Sequence, residues 1–475
     1  MSNHKNFYIN GQWVAPSTAN DLDVINPSNE EVCATISLGS EADTNAAVDA
    51  ARAAFDEWAA VSKAEKLALL NKLLEVYNAR SEDMAQAISV EMGAPQKLAR
   101  AQQVGAGSWH LKGFIDAFEA FEFDTPYTET EMTLREPIGV CALITPWNWP
   151  MNQIVLKVIP AIAAGCTVVL KPSEISPLSG ILFSEFMDEA GFPAGVYNMV
   201  NGDGPGVGSQ LSAHPDVDMV SFTGSSRAGK LISKSAADTL KRVSLELGGK
   251  GANIIFADAV DNAPANGAAR CFRNTGQSCN APTRMFVESS RYAEAVEQVK
   301  AAAEATKVAP ASEDGGHIGP LVSEMQFNKV QDLIQKGIDE GATLLAGGVG
   351  RPDGLNRGYF ARPTVFTDVT PDMTIYKEEI FGPVMCLMPF ETEEDVIEMA
   401  NDTPYGLTNY IQTEDTEKRR RVARRLRSGM VETNGSGFAQ GSPFGGYKQS
   451  GNGREGGVFG IEEFLEVKAV SGWNS

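Results

Sequence analysis

A chain of 475 residues, 43% hydrophobic with charge interspersed, predicts a soluble globular protein with two or more domains and sizeable cores. Its net charge of -21 argues against a nucleic-acid partner, because a phosphate backbone demands Lys/Arg-rich faces. No apolar run approaches the ~20 residues a membrane helix needs, and the polar segment from Met1 to Tyr8 lacks the apolar core of a signal peptide. A cytoplasmic location is expected, with no membrane and no nucleic acid among its partners.

Residues 7–38 read as short strands, with an Asn10-Gly11 turn inside the first pair. Val48, Ala51, Phe55 and Trp58 have helical spacing. Ser62-Lys-Ala-Glu65 fits a capping box opening a Leu-rich helix, and Ser81 is the expected cap of the next, ending near Gly93. Residues 121–136 alternate apolar and polar side chains, as in a protruding hairpin. From residue 138 strands alternate with helices. Strands are expected at 138–144, 167–170, 195–200, 219–222, 243–247 and 252–256, with a helix opened by Ser176-Pro177 and closed near Gly191. This pattern predicts an α/β fold with a mostly parallel, doubly wound sheet. A second region follows, with helices near 258–272, 291–306 and 324–340 and strands at 284–288, 342–346 and 359–367. Gly/Pro-rich loops occupy 434–457, and a strand-like run lies at 463–469.

The six cysteines form no CxxC pair, so neither a disulfide framework nor a metal site is expected. One of them, Cys279, lies in the polar stretch Asn274-Thr-Gly-Gln-Ser-Cys279, just before an apolar strand. A thiol in such a loop is a candidate nucleophile. With only four histidines in the chain, its base is sought among carboxylates. Glu246, flanked by Leu245 and Leu247 and followed by two glycines, is partly desolvated and so suited to be a general base. Asn148, between two tryptophans and two prolines after a strand, offers a held amide to a developing oxyanion.

Two glycine patterns are set aside. Gly451-Asn-Gly-Arg-Glu-Gly456 matches a dinucleotide fingerprint but follows no strand, and Gly224-Ser-Ser-Arg-Ala-Gly-Lys230 lacks the Ser/Thr of a P-loop. The segment from Gly224 to Gly229 does follow a strand and open a helix, where backbone N–H groups and the Ser225 hydroxyl suit a dinucleotide phosphate. Lys171-Pro-Ser-Glu174 follows another strand, at a sheet edge where a ribose would bind. A carboxylate there disfavours a 2′-phosphate, which favours NAD and leaves NADP possible. Glu379 and Phe381 are weaker candidates for a ribose or ring contact.

Taken together, Pro146-Trp-Asn-Trp-Pro150, Lys171-Pro-Ser-Glu174, Phe222-Thr-Gly-Ser225, Glu246-Leu-Gly-Gly249, Gly276-Gln-Ser-Cys279 and Glu379-Ile-Phe-Gly-Pro383 resemble the NAD(P)-dependent aldehyde dehydrogenase superfamily. The resemblance extends to Pro443-Phe-Gly-Gly-Tyr-Lys448 and Gly453-Arg-Glu455, nearly the whole chain. It implies Cys279 as nucleophile, Glu246 as base, and Asn148 with the Cys279 N–H as oxyanion hole. It implies active-site roles for Lys157 and for Glu455, the latter as a proton relay. For NAD it implies contacts from Ile144, Thr145, Pro146, Trp147, Lys171, Ser173 and Glu174, from Gly204 and Gly208, from Phe222, Thr223, Gly224, Ser225, Gly229 and Leu247, and from Glu379 and Phe381. Trp149, Leu156, Ser278, Asn280, Phe438 and Phe444 are the expected substrate contacts. Their mostly apolar character favours an aliphatic or aromatic aldehyde over an acidic semialdehyde.

The implied fold has a Rossmann-type dinucleotide-binding domain (1–120 and 138–248), an α/β catalytic domain (249–447), and a β flap (121–137 and 462–475) that joins copies into a homodimer or homotetramer. The implied reaction is NAD-dependent oxidation of an aldehyde to the acid through a cysteine thioester. A cofactor-independent thiol hydrolase or a non-catalytic protein on the same scaffold are the alternatives.

Overall fold

The computed structural model describes residues 3–474; Met1, Ser2 and Ser475, at the ends of the expected ranges 1–120 and 462–475, lie outside the described residues. Among the described residues no helix is long and apolar enough to cross a membrane.

Two large sheets organise the chain. The first has eight strands, in the order Gly451–Asn452, Arg242–Glu246, Met219–Thr223, Val140–Ile144, Thr167–Lys171, Tyr197–Met199, Phe7–Ile9 and Gln12–Val14. Its five central strands are parallel. Counted along the chain from Val140, they lie in the order 3-2-1-4-5, so strand order reverses between Val140–Ile144 and Met219–Thr223. In an open α/β sheet the crevice outside the carboxyl ends of the two strands at such a reversal is where ligands bind. The central strands are apolar and fully buried, as strands covered on both faces must be.

The second sheet has seven strands and is parallel except where Thr343–Ala346 pairs with Thr364–Thr367. Residues 247–251 lead from the carboxyl end of Arg242–Glu246 into Ala252–Ile255 of this sheet. The outlet of one sheet thus adjoins the inlet of the other. The segment at 121–137 forms the hairpin read from its alternation, with strands Asp124–Pro126 and Glu131–Pro137. The strand Leu465–Ser471 pairs antiparallel with Glu131–Pro137, from Leu465 opposite Pro137 to Ser471 opposite Glu131.

Several local expectations hold for the anticipated reasons. Asn10 and Gly11 both have positive φ, 51° and 73°, as a two-residue hairpin turn of this type requires. Ser62 and Glu65 form the reciprocal capping box. Gly93 and Gly191 close their helices in the left-handed conformation.

Others do not. Ser81 is the first helical residue of Ser81–Met92 and not its cap; Arg80 precedes it and no side chain bonds the helix start. Ser176 does not cap Leu178–Ala190. The N–H groups of Leu178 and Ser179 are instead bonded by the carboxyl of Glu91, at 2.5 and 3.1 Å, from a helix 87 residues earlier in the chain. A long-range cap leaves no local sequence pattern. The expected strand at 138–144 begins at Val140, because Gly139, with φ of 133°, bends around the Asp218 carboxyl. The expected helix at 258–272 starts at Ala263, and only Thr364–Thr367 of 359–367 is strand. The loop region 434–457 contributes Gly451–Asn452 to the edge of the first sheet, beside Glu246. That pairing, not a phosphate cradle, is the job of the set-aside glycine pattern.

Burial pushes the Glu91 carboxyl up to about 7, against the lowering effect of its hydrogen bonds. A carboxyl with a raised native pKa binds its proton more tightly folded than unfolded. Its stabilising protonation is complete below the unfolded value, 4.5, and is lost as pH rises through 7. Glu91→Gln keeps an acceptor but cannot ionise. Between pH 4.5 and 8, wild-type stability should therefore fall relative to Glu91→Gln, by up to about 3 kcal/mol in urea unfolding. Parallel pH profiles would show that Glu91 does not titrate in this range.

Candidate active site

Cys279 sits on a loop that its sequence bends sharply. Asn274, Thr275 and Gly276 all have positive φ, 53°, 58° and 69°. Such a conformation is strained for a β-branched threonine and must be held by its surroundings. The Thr275 hydroxyl donates to the Gly319 carbonyl at 3.0 Å, and Gly276 lies so close to Gly382 that a Cβ there would meet the Gly382 oxygen at 2.0 Å. The Asn274 amide donates to the carbonyls of Asn148 (3.0 Å) and Gln277 (3.2 Å). Gln103 donates to the same Asn148 carbonyl at 3.0 Å. The Asn148 side chain in turn donates to the Gln277 carbonyl at 3.0 Å. A mesh of buried amides therefore orients Asn148, rather than the flanking tryptophans and prolines alone. One of the two Asn148 N–H groups remains outside it.

Gln103 was not singled out from sequence. It lies on a π-helical turn, Ala99–Val104, between helices. Such turns often mark functional sites. This one sends Gln103 to Asn148 and its neighbour Gln102 into the cavity beside Cys279. On the far side of the nucleophile, the Tyr410 hydroxyl donates to the Asn280 carbonyl at 2.5 Å.

Two cavities meet at Cys279. One, of about 190 Å³, lies outside the two strands where the first sheet reverses. Pro146, Trp147 and Asn148 enter it from one strand end, and Thr223, Gly224 and Ser225 from the other. Leu247, Glu379 and Phe381 complete the expected set, while Gly248, Gln326 and Lys329 line it unanticipated. The two glycines after Leu247 have distinct tasks. A Cβ on Gly248 would strike a Glu379 carboxyl oxygen at 2.4 Å, and one on Gly249 would strike the Cys279 carbonyl at 2.3 Å. The Glu379 carboxyl accepts the Gly249 N–H at 2.8 Å. Trp147 and Phe381 meet edge to face, ring centroids 5.4 Å apart.

The other expected cofactor residues lie elsewhere. Ile144 and Phe222 are buried strand residues of the core. Gly229 lets its helix pack on Leu247, which a Cβ would meet at 2.8 Å. The Thr145 N–H is bonded to the Lys171 carbonyl. Lys171 is buried and donates to Glu174 at 3.2 Å and to the Pro172 carbonyl. Burial lowers its pKa, and Glu174 partly offsets this. Ser173 bonds the Ile175 N–H. A Cβ on Gly208 would meet the Lys171 stem at 3.9 Å, and Gly204 begins the π-helical turn Gly204–Gly208. None of these residues lines the cavity.

The second cavity, of about 240 Å³, opens on the opposite side of Cys279. Of the expected substrate contacts, Trp149, Ser278, Asn280 and Phe444 line it, and the Trp149 indole donates to the Ser278 hydroxyl at 2.8 Å. Leu156 does not line it, being buried in helix Pro150–Ala164, and Phe438 is exposed on a loop away from it. Their places in the wall are taken by Gln102, Asn152, Gln153, Arg270 and Arg273. The wall is more polar than the sequence suggested.

The electrostatics around the thiol are unusual. Burial pushes the Cys279 pKa up, and Glu379, Glu246 and Glu455 push it further. Burial holds Glu246 well above the ordinary carboxylate range, Glu455 adds to this, and Lys157 and Arg454 oppose it. Both Glu246 oxygens are buried with no hydrogen-bond partner. Lys157 donates to Glu455 at 2.5 Å, both side chains buried. Cys279, Glu246, Glu455 and Lys157 are thus electrostatic neighbours, whereas Lys171 and Glu174 stand apart from them.

The chain belongs to the aldehyde dehydrogenase family: the model of that family matches residues 13–470. It is 51% identical over 475 residues to 3-succinoylsemialdehyde-pyridine dehydrogenase of a Pseudomonas species, covering 100% of this chain and 99% of that protein. Among solved structures it is similar to aldehyde dehydrogenase from Bartonella henselae, with 58% identity, a TM-score of 0.99 and full coverage of both chains. It is also similar to a mutant aldehyde dehydrogenase C from Pseudomonas syringae in complex with NAD+ and octanal, with 49% identity, a TM-score of 0.98, and 99% and 97% of the two chains covered. The family is one of oxidoreductases, and the chain shares its fold.

Because neighbouring carboxylates raise the Cys279 pKa, removing one should lower it. The pH profile of iodoacetamide alkylation at Cys279 should move to lower pH in Glu379→Gln, whose charge is the largest of the three contributions. An unshifted profile would mean that Glu379 does not act on the thiol.

Proposed function

We propose that this chain catalyses NAD-dependent oxidation of an aldehyde to a carboxylic acid, with Cys279 as the covalent nucleophile. One observation carries the reading: Cys279 borders both cavities, so a molecule in each would meet at its sulfur.

The residues of the first cavity suit a dinucleotide. It lies at the sheet reversal, the Thr223 hydroxyl is buried there without a partner, and Gly224 leads into a helix N-terminus. Ser225 accepts the Ala228 N–H at 3.2 Å, which leaves its own O–H free to donate to a phosphate. Lys171 and Glu174, farther along the edge, would exchange their mutual bond for ribose hydroxyls. NAD supplies the hydride acceptor when bound.

The Cys279 sulfur attacks the aldehyde carbon as its proton passes to solvent water. The free Asn148 N–H and the Cys279 N–H stabilise the oxyanion. Departure of hydride leaves a thioester on Cys279. Glu246, once ionised, takes a proton from water as it attacks the acyl carbon. The carbon–sulfur bond breaks, the acid leaves, and the Lys157–Glu455 pair offers the proton a route out. The raised pKa of the free thiol means that carbon–sulfur bond formation and proton loss are coupled in the first step.

We also read the three-stranded sheet as the contact that joins copies of this cytoplasmic enzyme. The outer edge of Leu465–Ser471 is unpaired among the described residues, and an unpaired edge invites a further strand. Light scattering should give the mass of two or four chains; a monomer would contradict it.

Cys279→Ala should abolish aldehyde-dependent NADH formation. Glu246→Gln should give a burst of one NADH per site, then steady turnover slower by roughly 10²–10⁴-fold. A Glu246→Gln enzyme with normal steady-state turnover would remove Glu246 from the deacylation step. Deacylation should strengthen with rising pH as Glu246 ionises. Lys157→Met, which removes a charge that lowers the Glu246 pKa, should move that rise to higher pH.

A further inference from the structure

We propose that the aldehyde oxidised here carries an anionic group, a carboxylate on a short chain, and that Arg273 recognises it. The inference rests on the reading of the cavity on the Trp149 side of Cys279 as the aldehyde site.

The cavity wall holds two arginines and no acidic side chain. Arg270 is committed. Its guanidinium is clamped by both oxygens of Glu432 and lies over the Tyr410 ring, 4.6 Å from the centroid. Arg273, three residues on and six before the nucleophile, is different. Among the described residues it has neither an ion pair nor a side-chain hydrogen bond. Arg273 is exposed, and with no acidic side chain in the cavity wall its charge is free to meet an anion that enters there.

A second observation points to a polar ligand in the same space. Gln153 is 3% exposed and lines the cavity, and its side-chain oxygen is buried with no partner. A buried unpaired amide is unfavourable by about 1–3 kcal/mol unless something bonds it. A purely hydrocarbon substrate would leave Gln153 unsatisfied and Arg273 idle. A substrate with a carboxylate at the end of its chain engages Arg273, and a hydroxyl along that chain donates to the Gln153 oxygen, which can only accept. The planar guanidinium matches a carboxylate with two parallel N–H bonds.

Arg273 also borders the adjoining groove of about 520 Å³ that begins at Pro95, so it stands where the cavity opens outward. An aldehyde carbon at the Cys279 sulfur then places the far end of the chain toward Arg273. The rest of the wall fits this orientation. Trp149 and Phe444 flank the chain, while Gln102 lies between the cavity and the groove. No bond other than those of the proposed oxidation forms or breaks; Arg273 acts only by binding.

The test compares kcat/KM with NAD for ω-carboxy aldehydes of four to six carbons and for n-alkanals of the same length. The best carboxy aldehyde should exceed its alkanal in the wild type. Arg273→Gln should reduce that ratio by about tenfold or more. Arg273→Glu should reduce it further and raise the relative rate of a trimethylammonio aldehyde of similar length. Raising the salt concentration should erode the wild-type preference but not that of Arg273→Gln. Circular dichroism confirms that the variants fold. Aldehyde-dependent NAD reduction with a ratio that neither variant changes would overturn this inference alone. Absence of NAD reduction with every aldehyde would overturn the reaction as well.

Discussion

The backbone carbonyl of Asn148 accepts two amide donors, from Gln103 and Asn274, while the Asn148 side chain donates to Gln277. These bonds tie a loop leaving the first sheet to the loop that enters the second. Both cavities take their shape from this junction, because Trp147 and Trp149 flank Asn148 and Ser278 and Cys279 follow Gln277. Buried amides with few alternative partners fix a geometry more sharply than apolar packing does. The same mesh stabilises three consecutive left-handed residues, including a threonine. The strain is confined to the turn that presents the thiol.

Around that turn the chain gathers buried carboxyls. Glu246, Glu379 and Glu455 all raise the Cys279 pKa, and burial raises Glu246 itself. These groups favour the uncharged thiol, and the thiolate is the more reactive form. Lys157, ion-paired with Glu455 and buried, is the counterweight: it lowers the Glu246 pKa, whereas Glu455 raises it.

Much of this was legible in the sequence because the signals are local. Buried parallel strands read as continuous apolar runs; the loops that leave them carry Asn148 and Ser225, and Glu246 ends one of the strands. Glycines showed where backbone must approach closely: Gly248 and Gly249 admit Glu379 and the Cys279 carbonyl, a need that only a residue without Cβ meets. What stayed hidden depends on partners distant in the chain. The Glu91 carboxyl capping Leu178–Ala190, the Gln103 bond to Asn148, and the Glu432 clamp that commits Arg270 leave no mark at their own positions. The lining of the cavity on the Trp149 side differs from the expected set for the same reason. Leu156 has the right character, but helix Pro150–Ala164 buries it, and the turn at Ala99–Val104 brings in a glutamine. Side-chain type predicts what a residue can do; only the crossing of elements decides which residues share a cavity.

The central claim is that one sulfur, between two cavities, holds the acyl group while a hydride leaves. Acid quenching during turnover, followed by peptide mapping, measures this directly. The account predicts an acyl adduct on the peptide containing Cys279, a mass gain of the aldehyde less two hydrogens, present only when both aldehyde and NAD are supplied. The same adduct formed without NAD, or one on any of the other five cysteines in place of Cys279, would contradict it.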